Sequence, residues 1–280
     1  MPPRETWVWL VEAALAEDLG SGDVTSRALI RADLSSAAHV EVRESSILAG
    51  MEVAREVFAR KDAAWEPTRL DGDRIAACTR IATVRGPVRG ILAAERTALN
   101  FLQRLSGIAT LTRRFCDAVQ GTRATIVDTR KTTPGWRTLE KFAVRCGGGT
   151  NHRMGLYDGI LIKDNHIRVV GSVADAVKRL KAHNPSGLCL QAEVESLSQA
   201  QEAIEAGADA LLLDNRTPPE IAEIVAFTKG RVLLEASGGI TLANVAEVAR
   251  TGVDRISVGA ITHSAPAVDI ALEWNAPSST

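Results

Sequence analysis

Residues 188–214, LCLQAEVESLSQAQEAIEAGADALLLD, decide the fold of this chain. A short β-rich run over 188–193 gives way to the helical pattern 198–205, and a second run follows at 210–214. A buried run, a helix and another buried run are the sequence form of a βα unit, in which helices cover a parallel sheet. The stretch therefore indicates the α/β class.

The same rhythm extends along the chain from residue 124 onward. Six β-rich runs end in polar or glycine residues, and they occupy 125–128, 159–163, 188–193, 210–214, 232–235 and 255–258. A complete (β/α) barrel has eight strands. We therefore predict an incomplete (β/α) barrel, with an open doubly wound sheet as the alternative.

The first hundred residues follow a different pattern. Short alternating or apolar runs are separated by turn signals, which predicts a smaller N-terminal α+β domain. Residues 95–105, ERTALNFLQRL, have helical spacing and link the two parts. We place the N-terminal domain at 1–108 and the barrel domain at 109–265, and expect a C-terminal helix over 266–280 to pack on the N-terminal domain.

The amino terminus and the cysteines bear on the class of protein. The first twenty residues mix five charged residues into the apolar ones, unlike a signal peptide. No apolar run approaches the roughly 20 residues that cross a bilayer. The four cysteines are scattered without a CxxC pair, which argues against a zinc site or a disulfide framework. We expect a soluble cytoplasmic protein that does not bind membranes.

The formal net charge is only −1, but the charge is unevenly distributed. Residues 96–168 hold 13 Lys and Arg against 5 Asp and Glu, whereas 1–95 hold 12 against 15 and 169–280 hold 8 against 14. The cations alternate with Gly, Thr and Asn instead of forming Lys/Arg runs, which argues against nucleic acid as a partner. The pattern favours a pocket for a small polyanion.

Polar residues follow the end of each predicted strand, where the active sites of parallel α/β proteins collect. The first two runs are followed by cations, the next two by carboxylates and the last two by glycine-containing loops; the residues are Arg130 and Lys131, Lys163, Glu193, Asp214, then Ser237, Gly238 and Gly239, and Gly259. One cavity would then hold anion binders on one side and carboxylates opposite.

Each of these groups can have a functional role or a purely structural one. The two glycine loops let the backbone approach a phosphate, and a simple βα turn is the alternative for either. Glu193 and Asp214 can hold ribose hydroxyls, coordinate Mg²⁺ or face a developing cation, and helix capping or an internal salt bridge is the alternative. Lys163 can serve in a carboxylate clamp or as the Schiff-base lysine of an aldolase.

Arginines and histidines complete the predicted site. Arg96, Arg130 and Arg153 can each grip a carboxylate in bidentate fashion, although any one alone can equally be a surface arginine. His152 and His166 lie in polar surroundings that suit donors to a substrate, with a structural role as the alternative, above all for His166.

At these residues the sequence resembles the quinolinate phosphoribosyltransferase family, also called nicotinate-nucleotide pyrophosphorylase (carboxylating). The densest stretch is 128–167, DTRKTTPGWRTLEKFAVRCGGGTNHRMGLYDGILIKDNHI. Further matches are EDLGSGDVTS at 17–26, ERTALNFLQRLSG at 95–107 and DRISVGAITHS at 254–264, so that nearly the whole chain is covered. Phe142 stands where the family often has Tyr, away from the expected chemistry.

The resemblance implies the type II phosphoribosyltransferase fold and an enzyme of de novo NAD biosynthesis. Such an enzyme joins quinolinate to 5-phosphoribosyl 1-diphosphate and releases diphosphate and CO₂, leaving nicotinate mononucleotide. It implies Mg²⁺ as cofactor. It also implies a homodimer, or a higher even oligomer, in which the neighbouring N-terminal domain closes each site.

Motif matches to the family imply residue roles. They assign the quinolinate carboxylates to Arg96, Arg130, His152, Arg153 and Lys163. Lys131 would lie near both substrates, and Glu193 and Asp214 would meet the ribose hydroxyls and the metal. The phosphates would be held by Ser237, Gly238, Gly239, Gly259 and His263. Lys131, Glu193 and Asp214 are the expected catalytic residues, and Arg96 would act across the dimer interface.

Three alternatives remain open at this point. One is a phosphoribosyltransferase-like protein of the same fold that acts on another base, such as those associated with molybdenum transport. Another is a Schiff-base aldolase that uses Lys163. The third is a regulator that keeps the pocket without catalysis, against which the intact Lys131, Glu193 and Asp214 argue.

Overall fold

The computed structural model describes residues 1–184 and 186–274, which divide into two units. The first unit contains Met1–Arg113, Thr132–Gly148 and the chain from Ile261 on, and the second contains Arg114–Lys131 and Gly149–Ala260. The predicted domain boundary at residue 108 falls inside a long helix, Val88–Ala118. The segment Thr132–Gly148, which we had placed in the barrel domain, clusters with the first unit.

A 3₁₀ turn at Arg4–Thr6 precedes the elements, which we number in chain order. The helices are α1 (Val8–Leu19), α2 (Val24–Leu29), α3 (Met51–Ala59), α4 (Val88–Ala118), α5 (Arg137–Cys146), α6 (Asp164–Val170), α7 (Val173–Ala182), α8 (Leu197–Glu205), α9 (Pro218–Thr228), α10 (Val245–Arg250) and α11 (Ala260–His263). The strands are β1 (Ser35–Val42), β2 (Ser46–Ile47), β3 (Ala64–Pro67), β4 (Arg74–Ile75), β5 (Thr79–Pro87), β6 (Thr125–Val127), β7 (Ile160–Ile162), β8 (Leu190–Val194), β9 (Ala210–Asp214), β10 (Leu233–Ser237), β11 (Arg255–Ser257) and β12 (Ile270–Trp274).

The first unit is built on an antiparallel sheet in the order β12-β1-β5-β3. In β1, Ala38, Val40 and Val42 are buried while their neighbours are more exposed. This alternation is expected of a sheet that packs one face on a core. The mixture of this sheet with α1 to α4 confirms the predicted small α+β domain.

The prediction of a C-terminal helix is wrong for the described residues. The segment forms β12, which pairs antiparallel with β1 so that Leu272 lies opposite Val40. Ile270 and Leu272 are buried and the residues between and after them are less so. This period of two, and not a helical period, lets the segment extend the sheet. Residues 275–280 of the predicted helix lie outside the described residues.

The second unit contains a six-stranded parallel sheet in the order β6-β11-β10-β9-β8-β7. All six strands coincide with the predicted runs, and β9 shows why they were recognisable, because four of its five residues are buried. Within the described residues no ladder joins β6 to β7, although a parallel bridge links Val127 to Thr150 beside β6. The α/β class and the incomplete barrel are thus confirmed.

Local signals start the helices that cover this sheet. Before α9, the Thr217 hydroxyl and the Glu220 carboxylate form a capping box, and Pro218 occupies the first helical position. Before α8, the Ser196 side chain accepts a hydrogen bond from the Gln199 amide. These caps leave the preceding loops at the carboxyl edge of the sheet. Among the described residues, no helix is both long and apolar enough to span a bilayer.

Candidate active site

A cavity of about 390 Å³ opens at the carboxyl ends of the parallel strands in the second unit. It is lined by Thr129, Arg130, Lys131, His152, Arg153, Leu161, Lys163, Asp164, Asn165, Glu193, Leu212, Asp214, Glu235, Ser237 and Ser257. The lining thus brings together cations and carboxylates from six strand ends. This is where the sequence placed the site.

Eight predicted site residues line the cavity: Arg130, Lys131, His152, Arg153, Lys163, Glu193, Asp214 and Ser237. Gly238 and Gly239 continue the chain directly after Ser237, and Gly259 comes two residues after Ser257. Arg96 and His263 belong to the first unit and are exposed. They do not line this cavity, and their roles stay predictions.

Glu235 is a lining residue that the sequence analysis did not select. It lies on β10 two residues before Ser237, so both side chains point to the same side of the sheet. The same spacing separates Gln191 from Glu193 on β8. Reading inward-facing alternate positions back along each strand would have found both deeper residues.

The cations of the cavity lie close enough to repel one another. Burial lowers the pKa of Arg153, the charge of Arg130 lowers it further, and Asp158 acts in the opposite direction. The Arg153 guanidinium also donates from Nη1 to the carbonyl oxygen of Gly159, at 2.9 Å. An anion bound between two such guanidiniums would relieve their repulsion and accept charge-assisted hydrogen bonds.

The carboxylates that line the same cavity also repel one another. Burial raises the pKa of Glu193, and the negative charges of Asp214 and Asp164 raise it further, with Lys163 acting against them. A cation bound between Glu193 and Asp214 would relieve this repulsion. Carboxylate oxygens are the ligands that Mg²⁺ prefers, and Mg²⁺ usually takes only one or two of them besides waters and substrate phosphates. Within the described residues no cluster of three or more metal-binding side chains exists, so the pair fits Mg²⁺ held jointly with substrate.

The conformation of the loop after β10 favours glycine at its first position, 238. Gly238 has φ +88°, and a Cβ there would lie 2.2 Å from Asn215 Oδ1 and 2.7 Å from the Asn215 amide nitrogen. Asn215 itself has φ +54° and donates its amide to the Ser237 carbonyl at 2.8 Å. Gly239, with φ +60°, has open space around it. Successive backbone amides in such a turn are suited to bind an anion.

A buried polar network lies beneath the cations. His152 Nε2 is 3.1 Å from Gln191 Oε1 and 3.5 Å from Glu235 Oε2, while its Nδ1 is 2.7 Å from the Arg153 amide nitrogen. The His152 amide donates to Asp128 at 2.9 Å. Both ring nitrogens of His152 are therefore engaged within the protein.

A second cavity, of about 440 Å³, lies in the first unit. Two of its arginines, Arg4 and Arg55, already pair with Glu56 and Glu52. These two arginines are therefore compensated by carboxylates of the same unit.

Comparisons with known proteins agree on one family. Residues 23–106 match the model of the quinolinate phosphoribosyl transferase N-terminal domain, and residues 108–273 match that of the C-terminal domain. A probable nicotinate-nucleotide pyrophosphorylase [carboxylating] of Bacillus subtilis is 42% identical over 92% of this chain and 89% of its own. The nicotinate-nucleotide pyrophosphorylase [carboxylating] of Mycobacterium leprae is 43% identical over 94% and 95%.

A solved structure extends the likeness to three dimensions. The nicotinate-nucleotide pyrophosphorylase of Francisella tularensis superposes with a TM-score of 0.92 at 41% identity, covering 98% of this chain and 97% of its own. The two family models together, like the relatives and this structure, cover residues of both units of the chain. The chain belongs to the quinolinate phosphoribosyl transferase family.

Proposed function

We propose that this protein transfers the phosphoribosyl group of 5-phosphoribosyl 1-diphosphate to quinolinate with loss of CO₂, yielding nicotinate mononucleotide and diphosphate for NAD biosynthesis. The observation that best supports this reaction is the set of charged side chains in the cavity. The cavity places Arg130, Lys131, Arg153 and Lys163 on the same lining as Glu193 and Asp214. A dicarboxylate and a polyphosphate need the cations, and a developing ribosyl cation needs the carboxylates.

The cations divide between the two substrates. Arg130, Arg153 and Lys163 bind the two carboxylates of quinolinate, and the mutual repulsion of Arg130 and Arg153 supports an anion between them. His152 lies on the same wall and contributes to this subsite. Lys131, next in the chain to Arg130, neutralises the diphosphate as it leaves.

Glu193 and Asp214 act on the ribose. The bond from the anomeric carbon to diphosphate breaks as the quinolinate nitrogen approaches, so positive charge grows on the ribose ring. Two carboxylates held near this ring stabilise that charge, and they bind the ribose hydroxyls in the ground state. Mg²⁺, which Glu193 and Asp214 would hold directly or through water and ribose oxygens, would supply charge neutralisation of the diphosphate.

The remaining steps need little from side chains. Ser237 and the backbone of Gly238, Gly239 and Gly259 bind phosphate oxygens, which keeps the ribosyl carbon aligned with the ring nitrogen. After transfer, the ring nitrogen is a pyridinium that accepts the electron pair released when CO₂ departs from the adjacent carbon, and this carbon then takes up a proton. No side chain is required as a general base.

We further propose a dimer that shares its active sites. Arg96 lies exposed on α4 and does not line the cavity of the second unit. The family resemblance supports a role for Arg96 in the partner's pocket, and His263 is a phosphate contact by the same resemblance. We propose a cytoplasmic location, since none of the four cysteines, all in the described part of the chain, is joined in a disulfide.

The test is a direct assay. Purified protein is mixed with quinolinate, 5-phosphoribosyl 1-diphosphate and Mg²⁺, and nicotinate mononucleotide and ¹⁴CO₂ from carboxyl-labelled quinolinate are followed. We expect both products in equal amounts, and neither when Mg²⁺ is removed with a chelator. Replacing quinolinate with nicotinate, which has one carboxylate, is the specificity control. Absence of product in the complete mixture would contradict the proposed function.

A further inference from the structure

Glu235 is a buried acidic residue in the lining of a cavity that also contains four cationic side chains. Its side chain is 1% exposed, and within residues 1–184 and 186–274 it forms no ion pair with an arginine or lysine. Its partners are Gln191, whose Nε2 donates to Oε2 at 3.1 Å, and His152. Burial raises the pKa of Glu235, but hydrogen bonds from His152, Gln191 and Ser257, and the charge of His152 when its imidazole is protonated, lower it, and the pKa ends below its usual value. The contact geometry agrees, because Glu235 Oε2 is the acceptor for Gln191 Nε2.

The charge of Glu235 sets the direction of each hydrogen bond above it. A carboxylate only accepts, so the Gln191 amide must turn its NH₂ group toward Glu235. This leaves Gln191 Oε1 facing His152 Nε2 at 3.1 Å, and an amide oxygen also only accepts. The proton of the neutral imidazole must then be on Nε2.

The other ring nitrogen agrees with this assignment. His152 Nδ1 lies 2.7 Å from the Arg153 amide nitrogen, which is a donor. Nδ1 can accept that hydrogen bond only if it carries no proton. Both ends of the ring thus favour the same tautomer, and at the Nε2 end this preference originates at Glu235.

We propose that Glu235 is a positioning residue, which fixes the Nε2–H tautomer of His152 through Gln191 and thereby holds the backbone of the carboxylate-binding Arg153. The inference rests on the proposed function in one respect, the role of Arg153 toward quinolinate. Arg153 is held at its amide by His152 and at its guanidinium by Gly159. An arginine fixed at both ends loses less side-chain freedom when its anion binds, which favours tight binding.

The first experiment reads the tautomer without any substrate. The protein is labelled with ¹⁵N-histidine and studied by NMR at about pH 8, where an ordinary imidazole is neutral. The chain has five histidines, and His152→Gln identifies the signals of His152. We expect Nε2 protonated and Nδ1 unprotonated in the parent protein. A protonated Nδ1, or a mixture of tautomers, overturns the proposal.

Two variants test the origin of this tautomer. Glu235→Leu removes the carboxylate that orients Gln191, and Gln191→Leu removes the relay itself. The hydrogen bond from the Arg153 amide to Nδ1 remains in both variants and still favours Nε2–H, so we expect a measurable fraction of the Nδ1–H tautomer beside it. Should one fail to fold, the other and the parent spectrum still decide. A His152 spectrum that stays unchanged in a folded Glu235→Leu or Gln191→Leu protein overturns the proposal.

Steady-state kinetics then distinguish a selective loss of quinolinate binding from a general loss of activity. Loss of a charge-assisted hydrogen bond corresponds to a roughly ten- to hundredfold effect, and we expect a rise of this size in the KM for quinolinate in Glu235→Leu. The KM for 5-phosphoribosyl 1-diphosphate should stay the same. Glu235→Gln keeps an acceptor for Gln191 and should restore most of the quinolinate KM. Glu223→Leu, on the exposed side of α9, is the matched control.

The outcomes distinguish this inference from the proposed function. If the parent protein makes no nicotinate mononucleotide, the proposed function fails, while the NMR spectra still decide the role of Glu235. If the parent protein is active and Glu235→Leu raises both KM values equally, or neither, the positioning role is overturned and the proposed function stands.

Discussion

The guanidinium of Arg104 lies 2.8 Å from the carboxylate of Glu140, and that carboxylate has no exposed surface. Glu140 also accepts hydrogen bonds from the amide and the hydroxyl of Thr133, at 3.1 and 2.9 Å. Arg104 donates in addition to the carbonyl oxygens of Thr262 and Ala265. The ion pair therefore joins α4 to α5, and hydrogen bonds of its two members add Thr133, Thr262 and Ala265, which all belong to the first unit.

Arg104→Met should destabilise the protein strongly. It leaves Glu140 as a buried carboxylate without its cation, a change that costs about 3–5 kcal/mol. Urea denaturation followed by circular dichroism measures the free energy of unfolding. Arg55→Met, which breaks an exposed pair with Glu52, is the control and should cost less than about 1 kcal/mol. Equal losses in the two variants would contradict the importance of burial.

The contribution of Glu56 should depend on pH in the acid range. Its hydrogen bond from Arg4, opposed by burial and aided by Arg60, lowers the pKa of Glu56 to about 2. A carboxyl group with a lowered pKa stabilises the folded state above its unfolded pKa, and this contribution is lost as the pH falls through the folded value. Arg4 is more than half exposed, so water screens the pair and we expect Glu56 to contribute less than about 1 kcal/mol.

The measurement compares the parent protein with Glu56→Gln across pH. The difference in the free energy of unfolding should be constant above about pH 5 and should shrink as the pH falls toward about 2. Denaturant titrations at a series of pH values give this difference. If the difference in the free energy of unfolding grew on acidification, the pKa of Glu56 would be raised in the folded protein and not lowered.

Arg130→Ala should weaken quinolinate binding selectively. Losing the charge-assisted bonds of one guanidinium corresponds to a rise of roughly ten- to hundredfold in the KM for quinolinate. The thermal unfolding midpoint should change little because Arg130 lines a cavity. Arg250→Ala, at the exposed end of α10, is the control. An unchanged KM in Arg130→Ala would remove this arginine from the carboxylate subsite.

Gly238→Ala should impair the use of 5-phosphoribosyl 1-diphosphate. The new Cβ would lie 2.2 Å from Asn215 Oδ1 and would force the loop to move. The backbone there also has φ +88°, which is unfavourable for alanine. We expect the KM for the phosphoribosyl donor to rise more than roughly tenfold. Gly230→Ala also places alanine at positive φ, +74°, but in open space. It should cost about 1 kcal/mol of stability and leave that KM unchanged; a matching rise in both variants would point to backbone strain alone.

Mixed subunits test the role of Arg96. Arg96→Ala and Lys163→Ala should each be nearly inactive. If Arg96 serves the partner's pocket, a mixed dimer keeps one intact site, and random exchange restores about a quarter of the parent activity. If Arg96 serves its own subunit, mixing restores nothing. Activity after subunit exchange, with the oligomer checked by sedimentation, decides between the two.

The sequence predicted the fold well wherever burial left a periodic signal. The six runs form the six parallel strands because a parallel sheet of this kind is buried on both faces, so that its strands are apolar almost throughout, as β9 is. The C-terminal segment was misjudged. Its alternation over 270–274 is short, and it becomes a strand because the edge of β1 is available for pairing.

The sequence also predicted which residues line the cavity at the strand ends. Arg130, Lys163, Glu193 and Asp214 were predicted to meet because the carboxyl ends of parallel strands share one edge of the sheet, and they line one cavity.

Only the tertiary structure decided what lies beneath this edge. Glu235 and Gln191 are separated by 44 positions in the chain, yet they are hydrogen-bonded. The alternation along β8 and β10 marks each residue as inward-facing. It does not show that the two are paired, because a buried carboxylate depends on partners that packing brings to it from other strands. Sequence periodicity therefore determined the strands and the polar residues at their ends, while the three-dimensional meeting of buried donors and acceptors decided which proton His152 carries.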